Sequence, residues 1–185
     1  MKLSNVQLRF SRLYHAEEYE KGDGRPRYSA TFCIPKGSPL DKTIEDEIKK
    51  QATEKLGAKG ANWLASVRGQ KTQDCYRADP NEPKIMQLSA HRGAKNGPPG
   101  VYDNKIDPET GKVREVHEHE GRVYDGCYVN ATVDIYLQTE GTNQGVRCSL
   151  TAVQFHKDGD AFGGAKRATP DDFQAAEGAD AEDLA

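Results

Sequence analysis

From 126 to 157 the chain alternates apolar and polar residues in two long runs, GCYVNATVDIYLQ and GVRCSLTAVQFHK, separated by the turn-rich stretch EGTNQG. In the first run Cys127, Val129, Ala131, Val133, Ile135 and Leu137 share one face. Tyr128, Asn130, Thr132, Asp134, Tyr136 and Gln138 share the other. Period-two alternation over a dozen residues predicts a strand with one buried and one solvated face. The second run places Val146, Cys148, Leu150 and Ala152 inward and then changes phase to Val153 and Phe155, which predicts a β-bulge at 151–153. Two such strands around a Gly/Asn break predict a hairpin. Its polar face carries two tyrosines and Arg147, an unusual surface to offer to water.

The rest of the chain supplies further strands and one change of period. Residues 3–14 alternate with Val6, Leu8 and Phe10 inward and Gln7, Arg9 and Ser11 outward; a charged loop follows at 15–26. In 27–34, Tyr28, Ala30, Phe32 and Ile34 face one way, Arg27, Ser29 and Thr31 the other, and Pro35 ends the strand. From 40 to 56, Ile44, Ile48, Ala52 and Leu56 recur every four residues, the spacing of an amphipathic helix with Asp41 as its expected cap and Gly57 as its stop. A shorter helical piece is expected at 60–67, with Trp63 as a packing residue. Residues 70–83 read as loop, 84–90 as strand, and 91–102 (HRGAKNGPPGVY) as a basic, glycine-rich loop. The excursion 103–122 contains the turn DPETG at 107–111 and is expected to form a hairpin or a partly mobile arm. About five strands with helix inserted after the second predict a mainly β fold, an OB-fold-like, partly open β-barrel. The same pattern also permits another α+β sheet.

Charge changes this picture at one end. Formal net charge is −3, yet six of the 29 acids lie in 171–185, leaving 23 acids against 26 Lys and Arg in the body. This divides the chain into a domain, 1–168, and an acidic C-terminal tail, 169–185, that composition predicts to be disordered. No run approaches the ~20 apolar residues of a membrane span, and no signal-peptide pattern opens the sequence. Cys33, Cys75, Cys127 and Cys148 lack CxxC spacing, and the three that sit inside strand-like runs read as small apolar residues in a reducing compartment.

The polar strand faces are the candidate site. Arg9, Arg27, Tyr128, Tyr136 and Arg147 point away from the expected core, and Arg92, Lys95 and Tyr102 join them from the glycine-rich loop. Cations neutralise phosphates and rings stack on bases, so this set suits single-stranded nucleic acid. His117 and His119 in HEHE would share a strand face, but no further ligand pair has metal-site spacing, and the expected metal and cofactor content is none. P-loop, nucleophile-elbow and HExxH motifs are absent from the sequence, so catalysis is not expected; scattered aspartates leave a metal-dependent nuclease as the alternative.

The segments YSATFCIPK (28–36), PPGVYD (98–103), YDGCYVNATVDIY (124–136) and GVRCSLTAVQFHKDGDAFGG (145–164), in this order, resemble the single-stranded-DNA-binding proteins of tailed phages. The resemblance extends over nearly all of 1–173. It implies an OB barrel in which 126–136 is a strand and the loop before it a variable arm. It further implies a non-catalytic role in DNA replication and recombination in the host-cell cytoplasm, with single-stranded DNA as partner. Replication proteins would be contacted through the acidic tail 171–185, with a homodimer or cooperative assembly on DNA as a further expectation. The tail ends Asp183-Leu184-Ala185, without the terminal aromatic common in tails that dock such partners.

Overall fold

The computed structural model describes residues 1–18 and 24–162. Eight strands form one sheet: β1 (Lys2–Glu17), β2 (Arg27–Pro35), β3 (Tyr76–Ala78), β4 (Ile85–Gly93), β5 (Gly100–Ile106), β6 (Val113–Glu115), β7 (Tyr128–Gln138) and β8 (Gly145–Lys157). Helices α1 (Pro39–Leu56) and α2 (Gly60–Val67) lie between β2 and β3. The order β1–β2–β4–β8–β7 returns to β1, antiparallel at every step except β4–β8, which is parallel. That is the topology of the OB barrel. The ring is closed rather than partly open. His91 pairs with Ser149 across the β4–β8 seam, and beyond that pair Cys75 bridges the widening gap. Its N–H donates to Val146 O at 3.1 Å, and its carbonyl accepts from Ser89 N at 2.8 Å.

Alternation fills the barrel. Leu8, Phe32, Leu88, Val129, Ile135, Leu150 and Phe155 are buried from all five strands. One face of α1 adds Ile44, Ile48 and Ala52 to the same core, as the four-residue period requires. Its N-cap, however, is Ser38, whose Oγ accepts from Asp41 N at 3.2 Å. Asp41 instead accepts from Gly37 N at 2.6 Å and from the buried Tyr76 hydroxyl at 2.7 Å. Gly57, at φ 55°, ends the helix as expected. Trp63 packs against the core from α2 and reaches Gln144 Oε1 of the β7–β8 turn at 3.4 Å. The predicted bulge in β8 is Thr151, left over between the pairs Thr132–Ala152 and Val133–Leu150.

Further expectations are corrected. Phe10 is not inward: it has φ 49° and is 64% exposed. It lies where β1 carries one extra residue between the pairs Arg9–Thr31 and Arg12–Ser29. Such a backbone costs about 1–3 kcal/mol in a residue with a side chain. On the outer face of β2, Ser29 and Thr31 are buried between the neighbouring strands, Thr31 Oγ1 lying 3.4 Å from Ser89 Oγ of β4. The 70–83 loop contains β3 on the edge of β4. Finally, 91–102 is loop only at its centre: β4 runs to Gly93 and β5 begins at Gly100, with a 3-10 turn at Ala94–Asn96 and an irregular stretch at 97–99 between them. The arm does form: β5 and β6 pair around a turn in which Asp107 Oδ1 accepts from Glu109 N and Thr110 N. All four cysteines are buried free thiols, and burial raises the pKa of Cys33 and Cys127 to about 11. No helix among the described residues is long and apolar enough to cross a membrane. The acidic tail expected over 169–185 lies outside the described residues.

Candidate nucleic-acid interface

Strand pairing lines up one outward-facing residue from each barrel strand. Arg12 (β1) pairs with Ser29 (β2), Ser29 with His91 (β4), His91 with Ser149 (β8), and Ser149 with Asp134 (β7). At strand spacing, this belt of four steps runs about 19 Å around the barrel. Two residues along β8 and β7, Arg147 pairs with Tyr136; two residues back along β2, Arg27 pairs with Gly93. The belt therefore has Arg12, Arg27 and Arg147 on or beside it, with Tyr136, 41% exposed, at its β7 end. Asp134 is an acid in the same row, and Arg12 is ion-paired to Glu17.

The partners of each cation decide how much charge remains outside. Among the described residues Arg147 donates only to carbonyl oxygens, Thr72 O at 2.7 Å and Asn143 O at 2.8 Å. Carbonyls orient a guanidinium without cancelling its charge, which leaves it available to an anion. His91 stands in the same belt. Burial first, then Arg27 and Arg147, push its pKa down to about 4, so it is neutral at pH 7.

The remaining predicted residues divide into two groups. Arg92 and Lys95 sit at the rim beside Arg27, because Ala94 N bonds to Pro26 O at 3.0 Å. Arg92 also donates to carbonyls, Gly97 O at 2.9 Å and Asn96 O at 2.8 Å, and Lys95 is exposed. Tyr102 lies farther along β8, opposite Gln154, with its ring against Gly100. A Cβ at Gly100 would come within 2.6 Å of the ring, so only glycine lets the tyrosine lie there. Arg9, one row from the belt on β1, and Tyr128, at the far end of β7, are already engaged. Arg9 bonds to Asp79 Oδ2 at 2.8 Å and Glu82 Oε2 at 3.4 Å, with Phe162 stacked 3.9 Å from its guanidinium. Tyr128 has the Lys157 ammonium 4.7 Å from its ring centre and Gly159 against its edge.

Sequence reasoning missed Arg12 and His91. Carrying the alternation of Met86, Leu88 and Ala90 one step further would have placed His91 outward on the same strand. Nothing in the sequence marks Arg12, whose phase depends on the bulge at Phe10. The arm carrying Tyr102 is anchored at its base. Buried Asp103 accepts from Arg114 Nη2 at 3.0 Å and Arg122 Nε at 3.4 Å. Burial alone would raise its pKa, but bonds from Arg114, the Asn104 N–H and Arg122 hold it below the usual range. His117 and His119 are stacked at 5.8 Å beside this base, and the described residues contain no group of three metal-ligating side chains.

Known proteins resemble this chain over its whole length. The sequence profile of the family described as "Enterobacter phage Enc34, ssDNA-binding protein" matches residues 1–185. A "Putative protein p50" of Acyrthosiphon pisum secondary endosymbiont phage 1 is 35% identical over 188 residues, covering 100% of this chain and 97% of that one. The solved single-stranded DNA-binding protein from bacteriophage Enc34, in complex with ssDNA, has a TM-score of 0.65 at 20% identity, covering 88% of each chain. Gp2.5, a single-stranded DNA binding protein encoded by bacteriophage T7, has a TM-score of 0.54 at 16% identity, covering 91% of this chain and 97% of that one. At these identities the solved structures establish a shared fold.

Proposed function

The chain belongs to the family of the Enterobacter phage Enc34 ssDNA-binding protein, and from that premise we propose that its barrel binds single-stranded DNA without base preference and without catalysis. The DNA crosses the outer belt. Arg27 and Arg147 hold phosphates, Tyr136 stacks a base, and Arg92, Lys95 and Tyr102 extend the contact along the rim and β8. Arg9 and Tyr128 lie at the margin, where existing partners limit what they add. The observation that carries this reading is that, among the described residues, Arg147 bonds only to carbonyls, one strand step from an exposed tyrosine ring. Cation and ring then meet a nucleotide's phosphate and base together, and neither reads a base edge.

In the infected cell this activity coats and protects single strands during replication and recombination, in the host cytoplasm. Residues 1–168 act as the binding domain, and 169–185 serve as an acidic segment that contacts replication proteins. A labelled oligonucleotide incubated with the protein and Mg²⁺ tests the reading. Retention of an intact strand, weakening steeply with salt and little affected by sequence, is the expected outcome. Shortened product would assign the chain to the nucleases instead, and a flat salt response would remove the phosphate contacts.

A further inference from the structure

Phe10 is the most exposed of the Phe, Tyr and Trp rings among the described residues, at 64%, and it sits in a left-handed backbone at φ 49°. Each feature is unfavourable alone. A bulky side chain is rarely tolerated at positive φ, and a ring that Val6 and Leu8 precede in phase would ordinarily join them inside. The surrounding structure enforces the bulge. Asp125 Oδ1 accepts from both Ser11 N at 2.9 Å and Ser11 Oγ at 2.6 Å. Just before it, Leu8 is bonded through both its backbone groups, to Cys127 O at 2.9 Å and Gly126 N at 2.8 Å. Gly126, at φ 109°, has Asp160 O where a Cβ would stand, so this clamp is itself packed from outside.

The place of the bulge gives the ring a use. It lies between the rows Arg9–Thr31 and Arg12–Ser29, at the β1 end of the belt, while Tyr136 stands at the β7 end. Strain of this kind concentrates where a fold presents a functional group. We propose that the β1 bulge presents Phe10 as a second base-stacking platform, so that a single strand crossing the belt has a ring at each end and arginines between them. This rests on the proposed function and assigns to it a residue that alternation places in the core. Duplex DNA keeps its bases stacked inside and cannot use such a platform, so Phe10 favours single strands.

The test follows from the two features. Phe10→Gly and Phe10→Asn remove the ring, and both residues accept a left-handed backbone. Affinity for oligothymidylate is expected to fall about 5- to 100-fold at every salt concentration. The slope of log affinity against log salt should be unchanged, because no phosphate contact is lost. Thermal stability should hold or rise, and Phe10→Trp should keep affinity within about twofold of wild type. Unchanged affinity in the Gly and Asn variants overturns the proposal. So does a changed salt slope, and so does a lowered Tm in both variants, which would make Phe10 a packing residue. Wild-type protein that retains no oligothymidylate would overturn the proposed function itself, a result that the variants cannot mimic.

Discussion

Two arginines on the outer faces of barrel strands, Arg9 on β1 and Arg147 on β8, look alike in the sequence and differ in the fold. Each follows an inward apolar residue and each neighbours a row with a tyrosine. Arg9 ends up 14% exposed against two carboxylates, one of them the buried Asp79, and under the Phe162 ring. Arg147 ends up bonded to carbonyls of the 72 and 143 loops, beside exposed Tyr136. Carboxylates consume a cation's charge and carbonyls only aim it. Position on a polar face is therefore not enough to make a phosphate contact. The chemistry of the neighbours decides, and those neighbours come from loops distant in sequence.

The sharpest way to break this comparison is to remove each arginine. Arg9→Ala leaves the Asp79 carboxylate buried without its cation, which costs about 3 kcal/mol of stability at the lower end of the range for broken buried pairs. The low end applies because Gln87 and the N–H groups of Asn81 and Glu82 still bond that carboxylate. Arg147→Ala should cost little stability and reduce the salt slope of DNA binding by about one. Denaturant melts and salt titrations of both variants check this. Matching profiles for the two would show that carboxylate and carbonyl partners are equivalent here.

Acidification probes the same contrast. His91 titrates near pH 4 in the native state because burial, Arg27 and Arg147 oppose its protonation, against about 6.5 in the unfolded chain. As pH falls through 6.5 the unfolded state binds the proton first, so stability is full above that value. It is lost progressively down to about pH 4, by up to about 3 kcal/mol. A phosphate held by Arg27 and Arg147 would relieve the opposition, so bound DNA should flatten this loss. Melts across pH 4–7 for wild type and His91→Gln, with and without oligothymidylate, measure it. A His91→Gln profile as steep as wild type over this range would show that His91 is not the group responsible; the lowered pKa of Asp79 and Asp103 acts only at lower pH.

The tyrosines give a finer test. Tyr136→Ala should weaken binding by about 1–3 kcal/mol, the value of a stacked base. Tyr128→Ala should weaken it by less than about 1 kcal/mol, because Lys157 already lies over that ring. Oligothymidylate titrations in one buffer compare them directly. A larger loss for Tyr128 would move the DNA path to the β1–β7 side.

Much of this architecture is readable in the chain because it depends on local period. The β7–β8 hairpin, its bulge at Thr151, the spans of α1 and α2 and the arm at 107–111 all follow from alternation, spacing and turn chemistry. What was not readable depends on contacts between distant segments. Ser38 takes the N-cap because Asp41 is drawn to Tyr76, 35 residues away. The short β3 has too few residues to show a period, and exists because β4 offers it an edge. Phe10 leaves its phase because Asp125 holds Ser11 from 114 residues away. The candidate site divides in the same manner. Strand phase placed Arg27, Tyr136 and Arg147 outward, whereas the engagement of Arg9 by Asp79 could not be inferred from either segment alone.

The smallest expected effect concerns the chain beyond Phe162. That residue stacks on Arg9 and donates its N–H to Asp125 O at 3.1 Å, so the following residues start from the β1 side of the belt. Residues 163–170 separate this root from the six acids of 171–185. Eight residues extend to at most about 28 Å, longer than the belt of about 19 Å, so the acids are within reach of every cation on it. Competition should fall on Arg147, whose partners among the described residues are carbonyls, and spare Arg9, which two carboxylates already hold. Deleting 171–185 is then expected to tighten oligothymidylate binding about threefold near 0.02 M salt and hardly at all near 0.2 M, where the Debye length drops below 8 Å. In an Arg147→Ala background the gain should shrink; in an Arg9→Ala background it should persist. Equal affinity of full-length and truncated protein at low salt would leave contact with partner proteins as the segment's role, and a gain insensitive to Arg147 would mean that the acids act elsewhere on the barrel.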